Sequence, residues 1–348
     1  MAKQHFLMAA HTLKPKDKVQ GWWFSEKMDG IQMFWDGGIS RGLATKDVPY
    51  ANTTKDARFL RDQIATGLWS RYAKAIHAPD WFLDMLPAMP LVGEAWAGWG
   101  KFQIVKSIIS KQVPVDAEWK QIEYCVFDSP PLAAMIRHRV LDHPQIQLTI
   151  PPSAFSWAMQ RANDQGVMTF LPVDTFEIVM QRLFDAGISS EVVTLLHQTT
   201  IRSRDHLDML FDDVLKRGGE GGVLRNPDSR YVTQRSHHCL KLKPFSDAEG
   251  VVVGYTTGRE TNRGSRLRGK MGALMVEFSG KRFKVSGFTD SERKLPPKAA
   301  VWAHRHPDAE LAPAYSSLAF PRGTVVTFKY RELSDDGIPK EARYWRKR

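Results

Sequence analysis

Two short runs of aromatic and aliphatic residues, 22–26 and 31–35, flank a single lysine, Lys27, and both read as strands. Asp36-Gly37-Gly38 then supplies a turn. Between 55 and 76 the apolar positions Phe59 or Leu60, Ile64, Leu68, Tyr72 and Ile76 recur at helical spacing, with Arg58, Arg61 and Arg71 on the opposite face, which predicts an amphipathic helix. The stretches 91–96 and 122–128 are strand-like, and 176–186 predicts a helix ending at Gly187. Residues 192–196 read as a strand. Ser203 is placed to cap a helix whose apolar face is Leu207, Leu210, Phe211, Val214 and Leu215, with Gly218 just past its end. Two further strands are expected at 221–225 and 239–243. Strands alternating irregularly with helices suggest an α+β or mixed α/β first domain.

Near Phe245 the pattern changes. Strand-like runs follow at 249–255, 273–278, 281–285 and 324–330, and Ser279-Gly280 joins two of them as a tight hairpin. A short all-β module with these spacings suits a small barrel such as an OB-fold. A chain of 348 residues is long enough for two domains, and the expected division is 1–245 and 246–348, α+β overall.

Composition narrows the partners. Hydrophobic residues make up 43%, enough for packed interiors, while the formal charge of +11 and pI near 9.6 point to a polyanion, nucleic acid or an anionic membrane. No run of apolar residues is long enough to span a bilayer, which excludes a spanning helix, and of the two polyanions nucleic acid, with no membrane, is the expected partner. Residues 1–10 hold only a short apolar run, followed by Lys14, Lys16 and Lys18, and lack the form of a signal peptide. The two cysteines, Cys125 and Cys239, read as reduced structural thiols and are too few for a four-cysteine zinc module. His237-His238 and His304-Arg305-His306 lack helical metal-ligand spacing and are expected at the surface. The segment 259–270 concentrates Arg259, Arg263, Arg266, Arg268 and Lys270 against one acid, Glu260, a ratio that suits phosphate contacts better than solubility alone.

The candidate chemistry centres on Lys27-Met28-Asp29-Gly30. Burial between apolar strands, together with cationic neighbours, lowers a lysine's pKa until the free amine is available as a nucleophile. Glu94 and Glu220 are carboxylates in otherwise apolar or glycine-rich strands, and each needs a cation or a hydrogen-bond donor. Taken alone, Phe127 would read as core and Lys241-Leu242-Lys243 as a solvated strand face.

Six segments in order change that reading: Lys27-Met28-Asp29-Gly30, Ser40-Arg41-Gly42, Gly93-Glu94-Ala95-Trp96, Val126-Phe127-Asp128, Glu220-Gly221-Gly222-Val223-Leu224-Arg225 and Lys241-Leu242-Lys243. With Trp35-Asp36-Gly37, Gly269-Lys270-Met271-Gly272, Gly287-Phe288-Thr289-Asp290 and the end of the chain, they give a sequence that resembles the covalent nucleotidyltransferase superfamily. Within it the match is to the compact ATP-dependent DNA ligases of minimal phage- or bacterial-like type. The resemblance is weakest between 130 and 202.

It implies a nucleotidyltransferase (adenylation) domain followed by an OB-fold DNA-binding domain, and nick sealing in duplex DNA through a lysyl-AMP intermediate. Lys27 is then the nucleophile and Asp29 supports the phosphate and metal geometry. Lys241 and Lys243 reach the α-phosphate from one face of a strand. Glu220 and Glu94 hold Mg2+ or Mn2+, with Glu94 also able to serve the ribose. Phe127 stacks on adenine, the backbone of Ser25 and Glu26 reads its edge, and Arg41 meets the nucleotide or the 5′-phosphate of the nick. Nucleic-acid contacts fall to Arg41, Arg58, Arg61, Arg263, Arg266, Arg268 and Lys270. ATP is the nucleotide, nicked duplex DNA the partner, and a monomer in the cytoplasm of a bacterial cell or phage-infected host the expected setting.

The chain departs from the family at Gln32, where an arginine is usual, at Val92 in place of an acid, and in a shortened C-terminal motif that Arg346 and Arg348 would replace in part. An RNA ligase, a capping-type guanylyltransferase and a non-catalytic nucleic-acid-binding protein of the same fold are the alternatives. Retention of Lys27, Glu94, Glu220, Lys241 and Lys243 argues against the last.

Overall fold

A computed structural model describes residues 6–52, 63–141, 152–260, 266–310, 317–334 and 336–347. The chain forms two compact units, Ala2–Leu242 and Lys243–Arg348. Among the described residues no helix is long and apolar enough to cross a membrane.

The strands of the first unit are β1 (Ala9–Thr12), β2 (Trp23–Glu26), β3 (Ile31–Asp36), β4 (Leu68–Ser70) and β5 (Pro90–Trp96). They are followed by β6 (Glu123–Asp128), β7 (Val193–Leu195), β8 (Thr199–Thr200), β9 (Gly222–Arg225) and β10 (Arg235–Leu242). They build two five-stranded sheets, ordered β1-β10-β9-β2-β8 and β4-β3-β5-β6-β7. Most pairs are antiparallel, with β1–β10 and β6–β7 parallel, so both sheets are mixed.

The second sheet is buried on both faces. Met33, Trp35, Leu91 and Val126 pack with Val105 and Ile108 of the helix Phe102–Ile109 and with Val179 and Leu183 of the helix Phe176–Asp185. On the other face Phe34 and Val92 meet Phe6, Tyr50 and Met135. Such a strand is apolar at nearly every position and loses the alternation that marks a half-exposed one. This explains the one large misreading in the first unit. Of the helix predicted at 55–76, the described part, 63–76, holds the strand β4 and turns instead, because Leu68 enters one core cluster and its neighbour Trp69 the other. Gly67, at φ +89°, sits in a left-handed conformation that no helix continues.

The first sheet covers one face with the helix Arg204–Lys216, whose Leu207 and Val214 pack on Phe24, Leu224 and Leu240. Ser203 is its N-cap, accepting from His206 N at 3.1 Å as the sequence predicts.

In the second unit β11 (Ser246–Thr257), β12 (Met271–Phe278), β13 (Lys281–Val285), β14 (Val325–Tyr330) and β15 (Arg343–Lys347) form one sheet ordered β13-β12-β11-β14-β15. Ser279 and Gly280, both at positive φ (48° and 72°), make the β12–β13 hairpin turn whose twist matches the strands it joins. The helix Pro297–Arg305 sets Ala299 and Ala303 on the core of Val252, Leu274, Val276, Phe283 and Phe328. The edges β13 and β15 approach through one parallel bridge, Ser286 to Arg343, with Tyr344 N donating to Ser286 O at 2.7 Å. The sheet is therefore OB-like in strand order without closing into a continuous barrel.

Candidate active site

Lys27 lies in the short link between β2 and β3, and its place is set by backbone pairing. In the β2–β9 ladder Glu26 faces Gly222, and Lys27 N donates to Gly221 O at 2.8 Å, which brings Lys27 beside Glu220. Lys27 Nζ donates to the Glu220 carboxylate and, at 3.3 Å, to Met28 O. Two glycines permit this approach. A Cβ on Gly30 would lie 2.0 Å from the Ala95 carbonyl oxygen, and one on Gly222 would lie 2.1 Å from the Phe24 ring. A carboxylate is thus one close partner of Lys27.

One cavity of about 630 Å³, within the ordinary range for a small-molecule site, lies in the first unit. Lys27, Glu26, Glu94, Phe127 and Lys241 all line it, although more than two hundred residues separate the first from the last. Glu94 stands across the β3–β5 ladder from Gln32, which also lines the cavity. Lys241 pairs with Val223 of β9. The Glu26 carboxylate is held from outside: Trp99 Nε1 donates to Oε1 at 2.7 Å, and Arg217 lies 3.4 Å from Oε2.

Other expected site residues do not join this group. Asp29 lies outside the cavity lining. Arg41 is engaged with Asp84 at 2.5 Å and Asp80 at 2.7 Å, away from the lining. Lys243 follows the end of β10 and opens the second unit. Arg58, Arg61 and Arg263 lie outside the described residues, as does Arg348. Arg266 and Lys270 share Asp290 at 3.4 and 3.8 Å, and Arg268 pairs with Glu260 at 3.2 Å, so part of this loop's charge is answered locally.

The structure adds to the site residues that the sequence reading placed elsewhere or gave no role. Arg71 and Tyr72, placed by the sequence on a helix face, line the cavity from the turn after β4. Arg225, closing β9 in one sheet, pairs with Asp128, closing β6 in the other, at 3.3 Å, both side chains being under a tenth exposed. The Arg225 guanidinium also lies over the Phe176 ring, 4.9 Å from its centroid. Burial pushes the Asp128 carboxyl above its ordinary range, against the pull of Arg225 and of the Ser129 N–H. Burial likewise raises the Cys239 thiol on the cavity wall, leaving it an inert structural group. Opposite charges ending two otherwise apolar motif strands were the visible signal for the Asp128–Arg225 pair.

As for a metal, no group of three or more His, Cys, Asp or Glu side chains converges among the described residues. Magnesium is commonly held by one or two carboxylates together with substrate phosphates, and Glu220 and Glu94 offer hard oxygen donors of that kind, so the residues fit.

Comparison with known proteins agrees with this architecture. The family described as DNA ligase OB-like domain matches residues 264–348. The DNA ligase of Haemophilus influenzae is 23% identical over 98% of this chain and 92% of its own length. An African swine fever virus DNA ligase is 32% identical over 44% of this chain and 35% of its own. A solved structure from a study of DNA binding with a minimal scaffold in Lig E DNA ligases superposes with a TM-score of 0.60 at 24% identity, covering 98% of both chains. The chain has the ligase-type fold, matches the DNA ligase OB-like domain over residues 264–348, and is similar along nearly its whole length to a bacterial DNA ligase.

Proposed function

We propose that this protein is an ATP-dependent DNA ligase that seals nicks in duplex DNA as a cytoplasmic monomer, with residues 1–245 as adenylation domain and 246–348 as DNA-binding domain. The observation that supports it best is the gathering of Lys27, Glu94, Phe127 and Lys241 on one nucleotide-sized cavity, with Glu220 in contact with the lysine.

The deprotonated Lys27 amine attacks the α-phosphorus of ATP. A P–N bond forms as the P–O bond to the leaving pyrophosphate breaks. Lys241, and Lys243 two residues on, stabilise the charge that grows on the α-phosphate oxygens. Phe127 stacks on the base and Asp29 supports the phosphate geometry. Glu220 and Glu94 would hold magnesium or manganese, whose chemistry is to neutralise phosphate charge. The 5′-phosphate of the nick then displaces Lys27 from AMP, forming a phosphoanhydride and returning the amine. Last, the 3′-hydroxyl loses its proton, attacks the activated 5′-phosphorus and expels AMP. Arg41 and the basic segments with Arg58, Arg61, Arg263, Arg266, Arg268 and Lys270 hold DNA phosphates.

The test is intact-mass measurement after ATP and magnesium are added to nucleotide-free protein, alongside a nick-sealing assay. The wild type gains one AMP and seals DNA, whereas Lys27→Ala does neither. An AMP adduct that persists in Lys27→Ala, or maps to another residue, refutes the assignment.

A further inference from the structure

A cluster of positive charge sits where β1, the edge strand of its sheet, runs beside β10. The two strands pair in parallel, Ala10 with Ser236 and then His11 with Leu240, so β10 carries residues 237–239 between pairs that are adjacent on β1. Extra residues of this kind re-aim the side chains they carry. His237 comes to lie over His11, the two rings stacked with centroids 3.8 Å apart and planes 11° apart. His238 turns elsewhere, its Nδ1 3.3 Å from Asn226 Nδ2. Arg235, which opens β10, lines the cavity and donates to the Ala10 carbonyl. Lys14, two residues past the end of β1, is exposed, and its backbone N–H donates to the Asp17 carboxylate at 2.7 Å, which fixes the turn there.

The charges that act on the His11 ring are those of His237, Arg235 and Lys14, all of one sign. Among the described residues no carboxylate pairs with the side chain of Arg235 or Lys14, whereas Arg266, Arg268 and Lys270 meet Asp290 and Glu260. Like charges gathered without a counter-charge repel one another until an anion arrives. The cluster begins at the cavity wall with Arg235 and continues past it, since His11, His237 and Lys14 are not among the lining residues. An anion confined to the cavity meets Arg235 alone. A polymer of phosphates that runs on from it meets all four.

We infer that this edge of the first unit, formed by Arg235, His11, His237 and Lys14, is a contact for the phosphate backbone of the DNA strand beside the nick; this rests on the ligase reading above and deepens it. The contact is linked to a proton. Burial, and then the neighbouring cations, hold His11 below the ordinary histidine range, so its ring stacks as a neutral group at neutral pH. A phosphate placed against the pair favours the charged form, so binding takes up a proton and strengthens as pH falls.

The experiment measures the affinity of the nucleotide-free full chain for a fluorescently labelled nicked duplex, by anisotropy at fixed ionic strength, between about pH 8 and about pH 6. The same series is run with ATP in place of DNA. A rise of about one unit in the pKa of one histidine makes the wild type bind DNA about tenfold more tightly at the acid end. His11→Gln combined with His237→Gln should remove most of that gain. His237→Gln alone, at an exposed position, gives a second reading should the double variant fail to fold. Lys14→Gln should lower the slope of log affinity on log salt by about one. A gain that the histidine variants retain, or a salt slope that Lys14→Gln leaves unchanged, overturns the inference. So does a gain that appears in the ATP series instead, since the phosphate is then the nucleotide's. In each of these cases covalent AMP uptake at Lys27 leaves the ligase reading standing. A wild type that binds no nicked duplex at either pH overturns both.

Discussion

Arg225→Met removes the charge that ties the two sheets of the first unit together at the cavity wall. In the native chain Arg225 and Asp128 sit 3.3 Å apart with side chains 6% and 8% exposed. Methionine keeps much of the apolar stem, but leaves the Asp128 carboxylate to the Ser129 N–H, which donates to it at 2.8 Å. Breaking a buried pair at one end typically costs about 3–5 kcal/mol, most of it the uncompensated charge. Nine of the eleven tryptophans fall within Ala2–Leu242, so urea unfolding followed by tryptophan fluorescence reports mainly on this unit. The pH dependence carries a definite sign. Burial already raises the folded-state Asp128 carboxyl above its ordinary 3.8, and losing Arg225 raises it further. Protonation therefore favours the folded state: the penalty is absent below the unfolded value, where both states hold the proton, and grows as pH rises through the folded one. The variant should be far weaker than wild type at neutral pH and much closer to it near about pH 4. Replacing both partners, Asp128→Leu with Arg225→Met, should recover most of the loss. A single-variant cost under about 1 kcal/mol at neutral pH, or an equal cost at both pH values, refutes the reasoning.

Asp36→Leu strips the acceptor shared by Ser40 Oγ, Tyr50 OH (2.6 Å), Trp69 Nε1 (2.9 Å) and Gly38 N (2.9 Å) inside the first unit, and should cost on the order of 3 kcal/mol or more by urea unfolding. Gly30→Ala drives a methyl group into the Ala95 carbonyl, so covalent AMP uptake should be lost even where the chain folds, as circular dichroism and intact mass will show. On the ligase reading, DNA affinity should fall steeply with salt. Arg266→Ala, Arg268→Ala and Lys270→Ala combined should lower the slope of log affinity on log salt by up to about three, and by less to the extent that Asp290 and Glu260 already hold these cations.

Strand positions and the motif order were legible in the sequence because local patterning determines them. The runs around Lys27, Glu94, Phe127 and Lys241 each became a strand or the link after one, the Ser203 cap formed as its residue type requires, and Ser279-Gly280 made its turn. Likewise, the basic charge was visible from composition. The helix expected at 55–76 failed where β4 is sandwiched between two cores, since an apolar position recurring every few residues is then set by packing on both sides rather than by helical period. Arg71, read as a surface cation, became a cavity residue for the same reason.

What the sequence alone determined was which side chains can do chemistry and which short elements carry them. Tertiary structure decided which of them meet. The β2–β9 register puts Glu220 against Lys27, the Arg225–Asp128 pair joins one sheet to the other, and the β2–β8 ladder sets Thr199 across from Phe24. These are pairings between residues up to about two hundred positions apart, and local propensity carries no information about them. They follow from hydrogen-bond register and from burying apolar faces on both sides of a sheet, terms that act only once the chain has closed on itself.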